Sequence, residues 1–179
     1  KYPGRIVAVA GQDPRRTGAL DIFKRGIREY GLQGLKMLPS SGYYPWDPRV
    51  SPIYEFALDN DLPVLSCTEI RSGGGYRYSR FSDPIQLNDV LCDFPDLKMV
   101  LLHAGYAMLH RFEESIIVAM NNPNVYIEID CWVHGSGTPR DPAAKPFPYN
   151  AFNAEEKIVT MLYYAKSALG AHRILFGTD

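Results

Sequence analysis

At 179 residues, 46% hydrophobic and 22% charged, the chain has the makeup of a globular protein with one sizeable core. A net charge of −1 gives no basic excess for nucleic acid, and no apolar run approaches the roughly 18 residues of a membrane span. Three cysteines, an odd and sparse set, argue against a disulfide framework and, with no visible signal peptide, suit the reducing cytoplasm, with a small molecule as the expected partner.

Arg5 to Ala10 reads as a buried first strand closed by Gly11. A turn at Gln12-Asp13-Pro14 leads to a helix striped by Leu20, Phe23, Ile27 and Tyr30, with Gly31 as its C-terminal cap. Gly34 to Leu38 is the second strand, and a loop rich in Gly, Pro and aromatics runs from Pro39 to Pro48. Ile53, Phe56, Ala57 and Leu58 mark a short second helix. Leu62 to Cys67 is the third strand, and a long loop with Gly73-Gly74-Gly75 leads to a third helix over Ile85–Cys92.

Met99-Val100-Leu101-Leu102 is an uninterrupted apolar run, the pattern of a strand buried on both faces, and it stops at His103-Ala104-Gly105. The helix after it spans about Ala107 to Asn121, with Leu109, Phe112, Ile116 and Ile117 on one side. Val125 to Ile129 is the fifth strand, and a Pro-rich loop is expected from Asp130 to Asn150. Asn153 can cap the next helix, with Glu155 and Glu156 in its first turn. Arg173 to Phe176 is the sixth strand, before Gly177-Thr178-Asp179.

Strand and helix therefore alternate six times, which implies an α/β fold with a parallel sheet. Helix-to-strand connections are short, while at least three strand-to-helix connections are long. The long loops gather at the C-terminal ends of the strands, the asymmetry of a (β/α)8 barrel, shared more weakly by an open doubly wound sheet. A complete barrel needs about 250 residues, so six units make a partial (β/α)8 barrel, one domain incomplete at both ends. Two exposed sheet edges would follow, and with them self-association or poor solubility.

Polar residues stand at matched strand ends: Lys36 within the second strand, Cys67 closing the third with Thr68 and Glu69 beyond, His103 closing the fourth, Asp130 and Cys131 the fifth, Asp179 the sixth. Each has a plain structural alternative, since a cysteine can fill a core, an aspartate can cap a turn and a lysine can snorkel outward. Together they imply a shared site, because burying them separately would cost several kcal/mol each. Weaker candidates are Arg71, Arg77 and Arg80 around the glycine run, as contacts for an anionic substrate. Tyr43, Tyr44 and Trp46, and likewise Phe147-Pro148-Tyr149, either line a pocket or pack their own loops. Gly135-Ser136-Gly137 resembles half of a nucleophile elbow but lies in a Pro-rich loop and is set aside.

The stretches Gly34-Leu35-Lys36-Met37-Leu38-Pro39, Tyr44-Pro45-Trp46-Asp47-Pro48, Leu62-Pro63-Val64-Leu65, Leu101-Leu102-His103-Ala104-Gly105 and Ile174-Leu175-Phe176-Gly177-Thr178-Asp179 resemble, in order and spacing, the amidohydrolase-related family. The likeness is to its branch that includes the aminocarboxymuconate-semialdehyde decarboxylase group. It implies that the six strands are strands three to eight of a metal-dependent barrel, lacking the first two strands and the last helix. In that family a divalent metal, usually zinc, is held by a His-x-His pair after strand one, a histidine after strand five and an aspartate after strand eight. A histidine after strand six works beside it in acid–base chemistry.

Residue by residue, the resemblance places Asp179 as the strand-eight aspartate and His103 as the strand-six histidine. Cys67 stands in the strand-five histidine position, and no His-x-His occurs in the sequence. The expected site is therefore His103 and Asp179 as catalytic groups, Asp179 and Cys67 as metal ligands, and Lys36, Arg71 and Trp46 as substrate contacts. The expected activity is a metal-dependent hydrolase or decarboxylase acting on a small carboxylated or cyclic substrate. A non-catalytic barrel relative that binds a small molecule, its metal site lost, is the alternative. An open-sheet protein using Cys67 as nucleophile and His103 as base is a third.

Overall fold

The computed structural model describes residues 4–70, 77–134 and 155–177, with the side chains of 133, 134, 155 and 156 excepted. Six strands, β1 (Ala10–Gly11), β2 (Leu35–Met37), β3 (Val64–Cys67), β4 (Met99–Leu102), β5 (Val125–Glu128) and β6 (Ile174–Leu175), form one sheet in sequence order. Every pairing is parallel. Helices α1 (Ala19–Tyr30), α2 (Ser51–Asp59), α3 (Gln86–Asp93) and α4 (Leu109–Asn121) fill the first connections, and α5 (Asp130–His134) and α6 (Glu155–Leu169) fall between β5 and β6. This is a partial (β/α)8 barrel. Among the described residues, no helix is long and apolar enough to cross a membrane.

Register and the two-residue period of a strand divide the sheet into two faces. Leu35, Val64, Met99 and Val125 sit side by side and are fully buried. They pack on helix residues Phe23, Ile53, Phe56, Phe112 and Ile116 in one apolar cluster. The intervening row, Lys36, Leu65, Val100 and Tyr126, lies on the opposite face and is less buried. Cys67 and Glu128 share the parity of that second row. The strand period thus sends one set of side chains to the core and the other toward the strands' functional side.

The helices form where the apolar period requires. Gly31 ends α1 at φ 67, its N–H bonded to the Gly26 carbonyl, a conformation open to glycine at little cost.

Three elements differ from the sequence reading. The run Arg5 to Ala10 is not a buried strand: only Ala10–Gly11 is strand, and Ile6 and Val7 are 70% and 65% exposed. An apolar run stays buried only if something covers it, and among the described residues β1 pairs on one side alone. In α4 the buried face is Phe112, Ser115, Ile116 and Ala119, whereas Ile117 turns outward and is 45% exposed. The segment after β5 begins as α5, not as loop. Its first turn is held because the Asp130 N–H donates to Glu128 Oε1 at 2.6 Å and the Cys131 N–H donates to Asp130 Oδ1. Trp132 then anchors α5, fully buried edge-on to Tyr106 and Phe112, its indole N–H on the Ala104 carbonyl at 3.2 Å.

Candidate active site

The chain leaves β4 through three consecutive residues in left-handed conformations: His103 (φ 66), Ala104 (φ 40) and Gly105 (φ 73). Such conformations cost about 1–3 kcal/mol each for residues with a Cβ, so the surroundings must impose them. They do so through a dense network. The Thr68 hydroxyl donates to the Leu102 carbonyl at 2.7 Å and accepts the Gly105 N–H at 2.9 Å. The His103 N–H donates to Glu128 Oε2 at 3.1 Å, so one Glu128 carboxylate binds the backbones of both His103 and Asp130. Glycine is required at 105, since a Cβ there would meet the backbone of Arg111 at 2.5 Å.

This turn drives the imidazole inward. His103 is 3% exposed, and its Nδ1 lies 2.7 Å from Asp130 Oδ1, 3.4 Å from Cys131 Sγ and 3.6 Å from Glu128 Oε2. Burial opposes a charged imidazole, but the contacts with Cys131, Cys67 and Asp130 outweigh it and raise the histidine above its ordinary 6.5. Burial pushes the Cys131 thiol up to about 11, so near neutrality it is uncharged and Asp130 supplies the charge that keeps the proton on His103. Burial would also raise Asp130, yet its hydrogen bond and charge pairing with His103 hold it below 3.8. Glu128 is raised above 4.5 by burial, against the two N–H groups it accepts. With Nδ1–H donated to Asp130, the Nε2–H of the imidazolium is the donor left to face a substrate.

In front of this cluster lies a cavity of about 420 Å³, lined among others by Gln12, Lys36, Cys67, Glu69, Arg77 and His103. Asp13 at its rim is paired with Arg15 at 2.6 Å, and Glu69 has Arg77 at 3.5 Å. Lys36 has no ion-pair partner among the described residues. Among the described residues, two groups bring metal-capable atoms within 4.8 Å of one another: Cys67 with Glu69 and His103, and His103 with Asp130 and Cys131. Only the first has all its members in the cavity lining. Its thiol, carboxylate and imidazole form a donor set that suits a divalent ion. In the second, Nδ1 and Asp130 are already committed to each other.

The amidohydrolase family model matches residues 1–179, the whole chain. The chain belongs to the amidohydrolase family. No functionally curated protein matches it. Among solved structures, it is similar to an uncharacterized TIM-barrel protein from Bordetella bronchiseptica, at 24% identity and TM-score 0.71, covering 99% of this chain and 55% of that one. It is also similar to a 4-oxalomesaconate hydratase from Rhodopseudomonas palustris, at 16% identity and TM-score 0.61, covering 99% and 53%. A third is a 5-carboxyvanillate decarboxylase from Novosphingobium aromaticivorans with bound manganese, at 15% identity and TM-score 0.60, covering 99% and 56%. At these identities the likeness is one of fold, and this amidohydrolase chain spans just over half the length of those structures.

Of the residues singled out from sequence, the structure brings Lys36, Cys67 and His103 to one cavity, with Glu69 and Arg77 beside them. Trp46 is elsewhere. Its ring stacks on Tyr44 at 4.6 Å and its N–H donates to Gln86 at 2.7 Å, and it is not in the cavity lining. Arg80 lies over the rings of Tyr78 and Phe81. Arg71 and Asp179 lie outside the described residues, as do the Gly73 to Gly75 run, Gly135 to Gly137, Phe147 to Tyr149 and Asn153. Asp130 was singled out only as a strand-end residue, and the structure makes it the partner of His103. Glu128 was missed altogether, although an acidic residue inside an otherwise apolar strand is itself a signal. Gly177 passes so close to Glu128 that a Cβ would lie 2.8 Å from Oε1, which accounts for glycine there.

Proposed function

We propose that the protein is a metal-dependent hydrolase or decarboxylase acting on a small carboxylated or cyclic substrate. The observation that carries this reading is the convergence of Lys36, Cys67, Glu69, Arg77 and His103 on one cavity at the C-terminal ends of parallel strands, where barrels carry their chemistry. The hydratase and the decarboxylase of similar fold act, by their names, on carboxylated compounds, which favours that substrate class here.

Lys36, which has no ion-pair partner among the described residues, would bind the substrate carboxylate by a charge-assisted hydrogen bond, with Arg71 as a second cation. His103, oriented by Asp130 through Nδ1, would move a proton at Nε2. The resemblance puts Cys67 and Asp179 on a divalent metal, which when bound supplies polarisation of a carbonyl or carboxylate, or a more acidic water. Trp46, turned toward Gln86, has no part in this reading.

The test is turnover of aromatic carboxylates and cyclic esters by the purified protein before and after chelation. Activity should vanish with the metal and return with a divalent ion. Lys36→Met should raise KM about tenfold or more while kcat changes less, the signature of a lost charged contact to substrate. Turnover that survives chelation, or none with any substrate of these classes, would reject the reading.

A further inference from the structure

We infer that Asp83 and Glu114 share one proton and, with Arg111, form an acid latch. The latch fastens the segment from Arg77 to Asp83, which carries part of the cavity wall, onto α4, and it loosens as pH rises. The inference goes beyond the metal-dependent reading above and does not depend on which reaction the site performs.

The first observation is how the segment is tied to α4. Arg111, 7% exposed, directs Nη2 to the Ser79 carbonyl and to Asp83 Oδ2, each at 3.2 Å. Its Nε and Nη1 are out of water and find no acceptor among the described residues. Asp83 is therefore the anion that answers this buried guanidinium.

The second observation is the state of Glu114. One turn along α4 from Arg111, it lies within hydrogen-bond reach of the same Asp83 carboxyl. Its Oε2 is out of water and meets no donor among the described residues. With the one guanidinium already committed to Asp83, a second ionised carboxylate here would leave a negative charge unanswered. A single proton held between the two acids removes that charge and makes their contact a charge-assisted hydrogen bond. Among the described residues, the charged groups that face Glu114 are Asp83, just before α3, and Arg111, on its own helix. Burial first, and then the contact with Asp83, push Glu114 up to about 7 against the pull of Arg111.

The third observation is what the latch holds. Ser79–Phe81 is a single 3₁₀ turn. The Ser82 hydroxyl donates between the Glu69 and Ser79 carbonyls, at 3.0 and 3.1 Å, and Arg77 reaches the Glu69 carboxylate at 3.5 Å. Glu69 and Arg77 both line the cavity. One end of the segment is thus fastened to α4 at Asp83, and the other presents a cation to the cavity at Arg77.

The direction of the response follows from proton linkage. With the latch open, Glu114 meets water and ionises at its ordinary 4.5; with it closed, the proton stays to about 7. The closed form binds more protons across that interval, so closure weakens as pH rises through it and levels off above.

The experiment follows amide hydrogen exchange at Tyr78, Phe81 and Ser82, whose N–H groups donate to the carbonyls of Ser40, Tyr78 and Ser79. Rates are corrected for intrinsic exchange, and amides of α1 report any change common to the whole fold. In wild type, protection at the three amides should fall at least about tenfold between about pH 5 and 7, with little further change above. Glu114→Gln, which keeps the shape of the protonated acid and a donor for Asp83, should hold protection within about twofold over the same range. As a check that needs no variant, the Glu114 carboxyl carbon followed by NMR in wild type should titrate near neutrality. Protection in wild type that ignores pH overturns the inference. So does an unchanged pH dependence in Glu114→Gln, or a Glu114 carbon that titrates near 4.5. Because no readout is turnover, each of these results leaves the hydrolase or decarboxylase reading standing, and loss of that reading leaves the latch standing.

Discussion

The ends of β4 and β5 differ sharply from the outer edges of the same sheet. At the centre, His103, Asp130 and Glu128 are each under about a tenth exposed, and every one is tied by hydrogen bonds to backbone or to another member of the group. At one edge, Ile6 and Val7 stand 70% and 65% in solvent beside β1; at the other, Phe176 is 63% exposed just after β6. The centre buries polar groups because each finds a partner, and the edges expose apolar groups where, among the described residues, the sheet pairs them on one side only. Polar burial here marks the site, while apolar exposure marks where the sheet can accept more protein surface.

The largest expected effect comes from breaking the turn that makes the centre possible. Gly105 needs φ 73, and any Cβ would meet the Arg111 backbone at 2.5 Å. Gly105→Ala should therefore destabilise the protein by about 3 kcal/mol or more, combining left-handed strain with a backbone clash that no rotamer relieves. Urea unfolding would check this, and a loss below about 1 kcal/mol would show that the turn is not constrained as described. An alanine at the equally left-handed Gly18, where a Cβ would meet nothing within 4 Å, carries the strain alone and should cost much less.

The same contrast explains which parts of the molecule were legible in the sequence. Met99 to Leu102 was correctly bounded as a strand because four apolar residues between polar turns leave little choice. The α1 cap at Gly31 was readable for a similar local reason. Lys36, Cys67 and His103 could be grouped because strand ends on a parallel sheet converge whatever the details of packing. Glu128 offers the sequence only the signal of an acid inside an apolar strand, because its role depends on the backbone N–H groups of His103 and Asp130 in the turns that follow β4 and β5. Arg5 to Ala10 misled for the converse reason: an apolar run states a tendency to be buried, and only the neighbouring strand decides whether it is. The α5 helix was hidden because its first turn is held by Glu128, from the preceding strand, and not by a local cap alone.

The second effect is a pH dependence that belongs to the centre and not to the edges. His103 is raised above 6.5 in the folded protein, so its contribution to stability is complete below that pH and is lost as pH rises toward its folded value. Asp130, held below 3.8, contributes above that pH and loses its contribution as pH falls below it. Glu128, raised above 4.5, adds to the decline on the alkaline side of its unfolded value. Stability should therefore fall as pH rises through the range above about 6.5 in wild type. His103→Gln should flatten that slope, whatever it does to stability at pH 6. Thermal unfolding measured across that range for both proteins decides the matter; equal slopes would show that the imidazole does not carry its proton through the Asp130 contact.

The smallest expected change in stability, and the one that tests the other half of the contrast, is at the β1 edge. Ile6 and Val7 make little buried contact, so replacing both with lysine removes almost no core and should alter unfolding by no more than about 0.5 kcal/mol. What it should alter is association. Two exposed apolar side chains beside a strand that pairs on one side among the described residues offer both backbone groups and a greasy surface to another chain, and lysines there oppose a second copy by charge and by their preference for water. Light scattering should show wild type self-associating with rising concentration and the double variant remaining smaller at the same concentration. If wild type is already monodisperse, or if the lysines leave its association unchanged, then the exposed edge does not govern association. Any self-association that remains must then be sought elsewhere on the surface, for instance at the apolar hollow between α4 and α6 lined by Leu109, Phe112, Met161 and Tyr164.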